Sequence, residues 1–269
     1  MRKRGEGRRG VVISLVSTVV VFTALGFAIV NAPGWDEVKA TFFDWSEFRS
    51  TFPEILDAFW LNVKIFCIAE VLILPLALLL AMVRSLPGPV FFPLRVLAIV
   101  YADFFRGVPT ILVITLLGFG APALGIEGIP TSTTFWGIVA LVLVYTAYVS
   151  EVYRAGIESV HPSQSAAARS LGLSHLQSLW HVIVPQAVRR VIPPLLNDFI
   201  GLQKDTALVG VLGAIEAFKQ TQIDEAATFN FTSGLVAALL FVAITIPLAR
   251  LTDWLVARDR RRQLAGAPA

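Results

Sequence analysis

Six apolar runs, each close to the length of a bilayer crossing, constrain this chain more than any other feature. They cover approximately residues 11–30, 55–83, 97–120, 133–153, 198–216 and 234–256. A helix rises about 1.5 Å per residue, so about 20 residues cross the hydrocarbon layer. Lipid offers backbone groups no hydrogen-bond partner, so such runs must be helices or closed barrels. The apolar residues do not alternate in ~10-residue segments, which argues against a barrel. The chain is 56% hydrophobic and only 15% charged, less charge than a soluble domain carries. The expected fold is all-α and integral to a membrane.

The cations set an expected orientation. With the N-terminus in the cytosol, 16 of the 22 Lys and Arg fall in residues 1–10, in loops 84–96 and 154–197, and in the end from Arg250 onward. Lys39, Arg49 and Lys219 fall outside, and Lys64, Arg106 and Lys204 are embedded. This is a strong positive-inside bias. It places both termini and the 154–197 loop in the cytosol and assigns the basic balance to topology. A nucleic-acid surface is the weaker explanation, because the basic residues are split between two tails. Met1-Arg2-Lys3-Arg4 could head a secretory signal, but the apolar run of 20 that follows exceeds the usual ~7–15 of a signal. An uncleaved first span is expected.

Segment 31–54 interleaves Trp35, Phe42, Phe43, Trp45, Phe48 and Phe52 with Asp36, Glu37, Asp44 and Glu47. It reads as an interfacial helix on the outer face, an aromatic belt anchor. In the second span Lys64 is near enough to the outer end to snorkel. Glu70 lies nearer mid-membrane, where a carboxylate is costly; it either lines a pathway or bonds to a neighbouring helix. The third span is interrupted by Gly107 and Pro109, which break the helical ladder. Asp103 and Arg106 are spaced for an ion pair that pins this bend; a substrate-binding role for Arg106 is the alternative. Lys204 and Asp205 are adjacent and point to different sides of their helix, serving as glue between helices or as pathway contacts.

The lone Cys67 excludes an internal disulfide and a cysteine metal site. His161, His175 and His181 all fall in the 154–197 loop, and the last two do not share a helical face. No metal site is expected. No internal repeat is evident, which argues mildly against carriers built from inverted halves.

The 154–197 loop reads as a small polar helical subdomain outside the bilayer. Ser163, after Pro162, suits the N-cap of a helix running through Leu171. Gly172 suits a left-handed C′ position. Ser174-His175-Leu176-Gln177 is a capping box that opens a second helix, which Pro185 ends or bends. Pro193-Pro194 can open the fifth span. Ala166-Ala167-Ala168 give the first helix a smooth face, with Leu171 and Leu173 as an apolar knob suited to a partner's groove. Alternatively, the alanines only raise helix propensity.

These residues resemble the coupling loop of ABC-importer permeases of the MetI-like fold. That signature reads Glu-Ala-Ala, three residues, Gly, nine residues, Ile-x-Leu-Pro. Here it is Ala166-Ala167-Ala168, Gly172 and Val182-Ile183-Val184-Pro185, with spacing kept. The signature Glu is replaced by Ala166, so contact there rests on shape. Tyr101–Pro109 is similar to the Tyr-x-x-x-x-Arg-Gly-Thr-Pro element of the polar amino-acid branch, with Val108 for Thr. Glu151-Val152-Tyr153-Arg154-Ala155-Gly156-Ile157 is similar to its Glu-x-Tyr-Arg-Gly-Ala-Ile. Pro185-Gln186-Ala187, Pro193-Pro194-x-x-Asn197, Lys204-Asp205-Thr206-Ala207-Leu208 and Glu216 also match, with Ala207 for Ser. Val113 stands where the branch often has Gln.

The resemblance implies a type I importer transmembrane domain over 55–257, with one additional N-terminal span, about six transmembrane helices in all. Residues 1–54 would hold a cytosolic tail, the first span and the interfacial segment; residues 258–269 would be a basic cytosolic tail. It implies a multi-pass protein of the bacterial cytoplasmic membrane that pairs with a second permease subunit, the same or similar. A cytosolic ATPase dimer would grip the loop at Ser163, Ala166, Ala167, Ala168, Arg169, Leu171, Gly172, Leu173 and Pro185. An extracytoplasmic binding protein would deliver a polar amino acid. Candidate pathway or gating residues are Glu70, Asp103, Arg106, Glu151, Asn197, Lys204 and Asp205. The chain lacks Gly-x-x-x-x-Gly-Lys-Ser/Thr, so ATP belongs to the partner subunit and no cofactor is expected here. An ion-coupled secondary carrier is the main alternative, followed by a regulatory or assembly subunit. An embedded enzyme is disfavoured by the absence of His-Glu-x-x-His and Gly-x-Ser-x-Gly.

Overall fold

The computed structural model describes residues 6–86 and 88–265; the extreme ends of the two basic tails lie outside the described residues. Helices α1 (Glu6–Val30), α2 (Trp35–Phe42) and α3 (Trp45–Arg84) come first. Next are α4 (Phe92–Gly107), α5 (Thr110–Ala123) and α6 (Thr133–Glu158), then α7 (Pro162–Ser170) and α8 (His175–Ser178). A π-turn at Leu179–Ile183 leads into α9 (Val184–Asp205), and a 3-10 turn at Thr206–Leu212 precedes α10 (Ala217–Thr228) and α11 (Thr232–Ala265).

Among the described residues, four helices are long and apolar enough to cross a membrane: α1, α3, α6 and α11. The pair α4 and α5, bent by 101° at Val108-Pro109, makes a fifth if counted as one span. The break falls where Gly107 and Pro109 interrupt the apolar run. The expected sixth crossing at 198–216 is not one helix. Its first part belongs to α9, which carries Arg189, Arg190, Asp198, Lys204 and Asp205; its second part is the 3-10 turn, ending at Gly213 with φ 90°. Pro193 and Pro194 lie inside α9 rather than at its start. Both fall in the helix interior, where each removes one backbone donor and crowds the carbonyl four residues before it.

The aromatic segment also differs from expectation. Only Trp35–Phe42 forms a separate short helix. Asp44 Oδ1 accepts the Ser46 and Glu47 N–H groups at 2.8 and 3.3 Å, a side-chain cap that restarts the chain as α3. That helix runs through residue 54 without a break.

The core is built around α6, which packs against α3, α4, α5 and α9. On α3, Ile65, Ala69, Ile73 and Ala77 are buried four residues apart, one stripe of a helix. They meet Leu141, Val144, Tyr145 and Val149 of α6. Small residues let helices approach closely where apolar lipid gives little drive for burial. Gly156 is the sharpest case: a Cβ there would sit 2.0 Å from Val191 Cγ1 on α9. A second cluster joins Ile55 and Phe59 of α3 to Ala217, Val236 and Ala237 near the α10 end. Helix α1 stands apart, with every side chain from Arg9 to Val30 exposed.

Candidate functional site

Three residues past α6, the chain turns into α7. Pro162 occupies the first turn, and His161, not Ser163, is the cap: its Nδ1 accepts the Ser163 N–H at 3.2 Å. Proline's fixed φ suits the first helical position, which moves the cap back by one or two residues. The Ser163 hydroxyl lies 2.8 Å from the same nitrogen. The far end closes as the sequence suggests. Gly172 has φ 88°; the Leu173 N–H donates to Ala168 O at 3.2 Å and the Gly172 N–H to Arg169 O at 3.0 Å, the paired bonds of a Schellman cap. Ser174 and Gln177 then cap each other: the Ser174 N–H donates to Gln177 Oε1 at 2.9 Å, and the Gln177 N–H to Ser174 Oγ at 3.3 Å.

On α7 only Ala168 is buried. Ala166, Ala167 and Arg169 are exposed, Leu173 is half-buried and Leu171 is 84% exposed. Helix α7 rests on α8 and the π-turn. The second helix, α8, already stops at Ser178, and Pro185 is exposed in the first turn of α9. The wider turn at 179–183 comes just before it and accommodates a ring that would clash in regular α geometry. His181 is exposed, while the side chain of His175 lies outside the described residues.

Behind α7 is a charge node centred on Glu151. Its Oε1 accepts hydrogen bonds from Arg84 at the end of α3 and lies 3.4 Å from Arg106 Nη1 at the end of α4. Its Oε2 accepts from Arg154 Nε and Nη2 at 3.0 and 2.8 Å. Arg154 also pairs with Glu158 at 2.5 Å. The expected Asp103–Arg106 pair is not among the ion pairs of the described residues: Asp103 is exposed and Arg106 turns to Glu151 instead. An already multiply bonded, poorly solvated carboxylate competes better for Arg106 than a solvated one, because charge–charge attraction grows as water is excluded. Arg169 is exposed and has no ion pair among the described residues. Arg190 donates to Ser159 O and so fastens α9 to the end of α6. A cleft of about 360 Å³ opens beside the node, lined by Glu151, Gly156, Ser159, Arg190 and Pro194 among others.

The remaining candidates are spread through the bundle. Glu70 is half-buried on α3, and Asp198 is half-buried on α9, which packs against α3; each keeps one enclosed oxygen without a hydrogen-bond partner. Asn197 and Lys204 are exposed. Asp205 accepts a hydrogen bond from the Tyr145 hydroxyl at 3.0 Å. The sequence reading missed one network. Asn62 Nδ2 donates to Thr206 Oγ1 and Glu216 Oε2, both at 3.0 Å, and Asn62 Oδ1 accepts the Ala217 N–H at 3.0 Å. The fully buried Glu216 also accepts the Phe218 and Lys219 N–H groups and thereby caps α10. A lone Asn inside an apolar run was the signal available for this network.

Comparison with known proteins identifies the fold and the family. The family described as the binding-protein-dependent transport system inner membrane component matches residues 73–262. The chain is 36% identical over 172 residues to the probable glutamine ABC transporter permease protein GlnM of Bacillus subtilis, covering 63% of this chain and 77% of that one. It is 32% identical over 222 residues to the glutamate/aspartate import permease protein GltK of Escherichia coli O6:H1, covering 80% and 98%. A crystal structure of an amino acid ABC transporter with histidines superposes with TM-score 0.72 at 28% identity, over 80% of this chain and 98% of that one. The all-helical fold is therefore MetI-like, and the chain belongs to the family of inner membrane components of binding-protein-dependent transport systems.

Proposed function

We propose that this chain is the permease subunit of an ATP-binding-cassette importer for a polar amino acid. The observation that carries the reading is α7: a short helix, rigidly capped at both ends, that presents Ala166, Ala167, Arg169 and Leu171 to solvent. A helix with almost no burial of its own needs an external partner to justify so defined a shape. That partner is a cytosolic ATPase dimer, which binds ATP and grips α7, Gly172, Leu173 and Pro185 of each of two paired permease subunits. Closure of the ATPase draws the two α7 helices together, and rocking of the spans alternates access to a central path. An extracytoplasmic binding protein delivers the amino acid. The names of the relatives, which include glutamine and glutamate/aspartate permeases, support a polar amino acid as cargo. The basic tails and the α7 end face the cytosol of a bacterium by the positive-inside rule. Glu70, Asp103, Asn197, Lys204 and Asp205 are assigned to the path or its gates.

The test is reconstitution in liposomes with the partner ATPase and binding protein. Uptake of radiolabelled amino acid should require ATP and survive a protonophore. The alternative, an ion-coupled carrier, has one observation in its favour: the unpartnered oxygens of Glu70 and Asp198 on neighbouring helices. It predicts uptake that needs no ATPase and collapses with the protonophore.

A further inference from the structure

We propose that Glu151 is a positioning residue that carries the movement of α7 to the break between α4 and α5, with Arg106 as the tie. The proposal rests on the reading of α7 as the point where force enters.

The argument is geometric. Glu151 lies seven residues before the end of α6, and only Ser159, Val160 and His161 separate that end from α7. Over those last turns α6 has little freedom to bend alone. Gly156 is pressed against Val191, and Arg190 holds the Ser159 carbonyl. A displacement of α7 therefore moves this end of α6, and Glu151 with it. The two carboxylate oxygens divide their work. Oε2 bonds within its own helix, to Arg154. Oε1 faces the other helices and meets both Arg84, the last residue of α3, and Arg106. Arg106 precedes Gly107, and the 101° break follows at once. Helix α5 beyond the break packs against α6 and the 3-10 turn at 206–212, so a pull on Arg106 acts on the joint between two arms. The Tyr148 hydroxyl, 3.4 Å from the Arg106 carbonyl, holds the same residue from α6. The Arg84 contact is a charge-assisted hydrogen bond, directional and strong, which fixes Oε1; the Arg106 contact is an ion pair at 3.4 Å. Glu151 and Arg84 are only 16% and 11% exposed at their side chains, so salt screens them little.

A carboxylate that only stabilised α6 would depend on Arg154 as much as on Arg106, and this separates the two accounts. The experiment measures amino acid moved per ATP hydrolysed by the complete complex of permease, ATPase and binding protein in liposomes. Arg106→Gln should lower that ratio about tenfold, within the ordinary range of coupling free energies. Because Arg106 is 41% exposed, its loss leaves the packed core untouched. Arg106→Lys should restore most of the ratio, since one ammonium can make the single contact at 3.4 Å. Arg154→Gln, which breaks no tie between helices, should stay within about twofold of the unaltered protein, as expected for a partly exposed pair. An unchanged ratio in Arg106→Gln, or an equal fall in Arg154→Gln, overturns the proposal while leaving the permease reading intact. Unaltered protein that shows no ATP-driven uptake removes the permease reading, and the inference with it.

Discussion

Helices α6 and α7 are neighbours in the chain and opposites in construction. Along α6, eleven residues are buried, from Gly137 to Gly156, and close approach of other helices fixes its place. Along α7 only Ala168 is buried, and hydrogen bonds at the two ends fix its shape. A packed helix spends its surface on the fold. A capped helix keeps its surface free, so its shape can be selected for something outside the chain. Substitutions at the buried positions of α6 should therefore act on stability, and substitutions in α7 on the partnership.

The largest expected effect belongs to α6. Gly156→Val places a side chain 2.0 Å from Val191 Cγ1, with the Ala187 carbonyl 3.5 Å away. Overpacking of this kind costs about 3 kcal/mol, to be read as a lower unfolding midpoint in detergent. A cost below about 1 kcal/mol would dissolve the contrast between the helices.

Next comes Gly172→Val at the cap of α7. With φ at 88° and open space around it, the added side chain meets backbone strain rather than a neighbour. The strain is about 1–2 kcal/mol and falls on the local cap, so global unfolding should shift little while uptake per ATP drops. A large fall in the unfolding midpoint would place α7 on the same footing as α6.

Smaller still in stability is Leu171→Ala, at a side chain already 84% exposed. Its effect on unfolding should be within about 0.5 kcal/mol, yet binding of the ATPase should weaken about tenfold, as for loss of an anchoring contact. Equal binding by the variant would mean that the exposed knob touches nothing.

The smallest effect lies at the other end of the bundle. In α10, burial raises the Asp224 carboxyl above its ordinary value; the Gln220 hydrogen bond works against this and Glu54 adds to it. Burial and the charge of Asp224 raise Glu225 likewise. Folding thus favours the protonated forms. Their contribution is fully present below about pH 4, where unfolded carboxyls titrate, and is lost as the pH rises through the raised values. Asp224→Asn should flatten this slope in a series of melts at different pH. A slope of the opposite sign would contradict it.

What could be read from the sequence follows the range of the interactions involved. The apolar runs correspond to α1, α3, the bent pair, α6 and α11, because bilayer length is a local property of composition. The caps at Gly172 and at Ser174 with Gln177 were legible because every partner lies within five residues. The start of α9 was not, since two prolines that look like a helix opening are tolerated inside a helix begun earlier. The partner of Arg106 was not legible either. Asp103 sits at the right helical spacing, but Glu151 is on another helix and is already gathering arginines. Thr206 and Glu216 lie 144 and 154 residues from Asn62, and no spacing rule reaches that far.

The central claim is that α7 is a grip for an ATPase. Its most direct test is a photo-reactive amino acid at position 171, irradiated in membranes that contain the complete transport complex. The account predicts a cross-link to the ATPase subunit, with a yield that changes on ATP binding. Cross-links confined to this chain, or reaching only an extracytoplasmic protein, would contradict it.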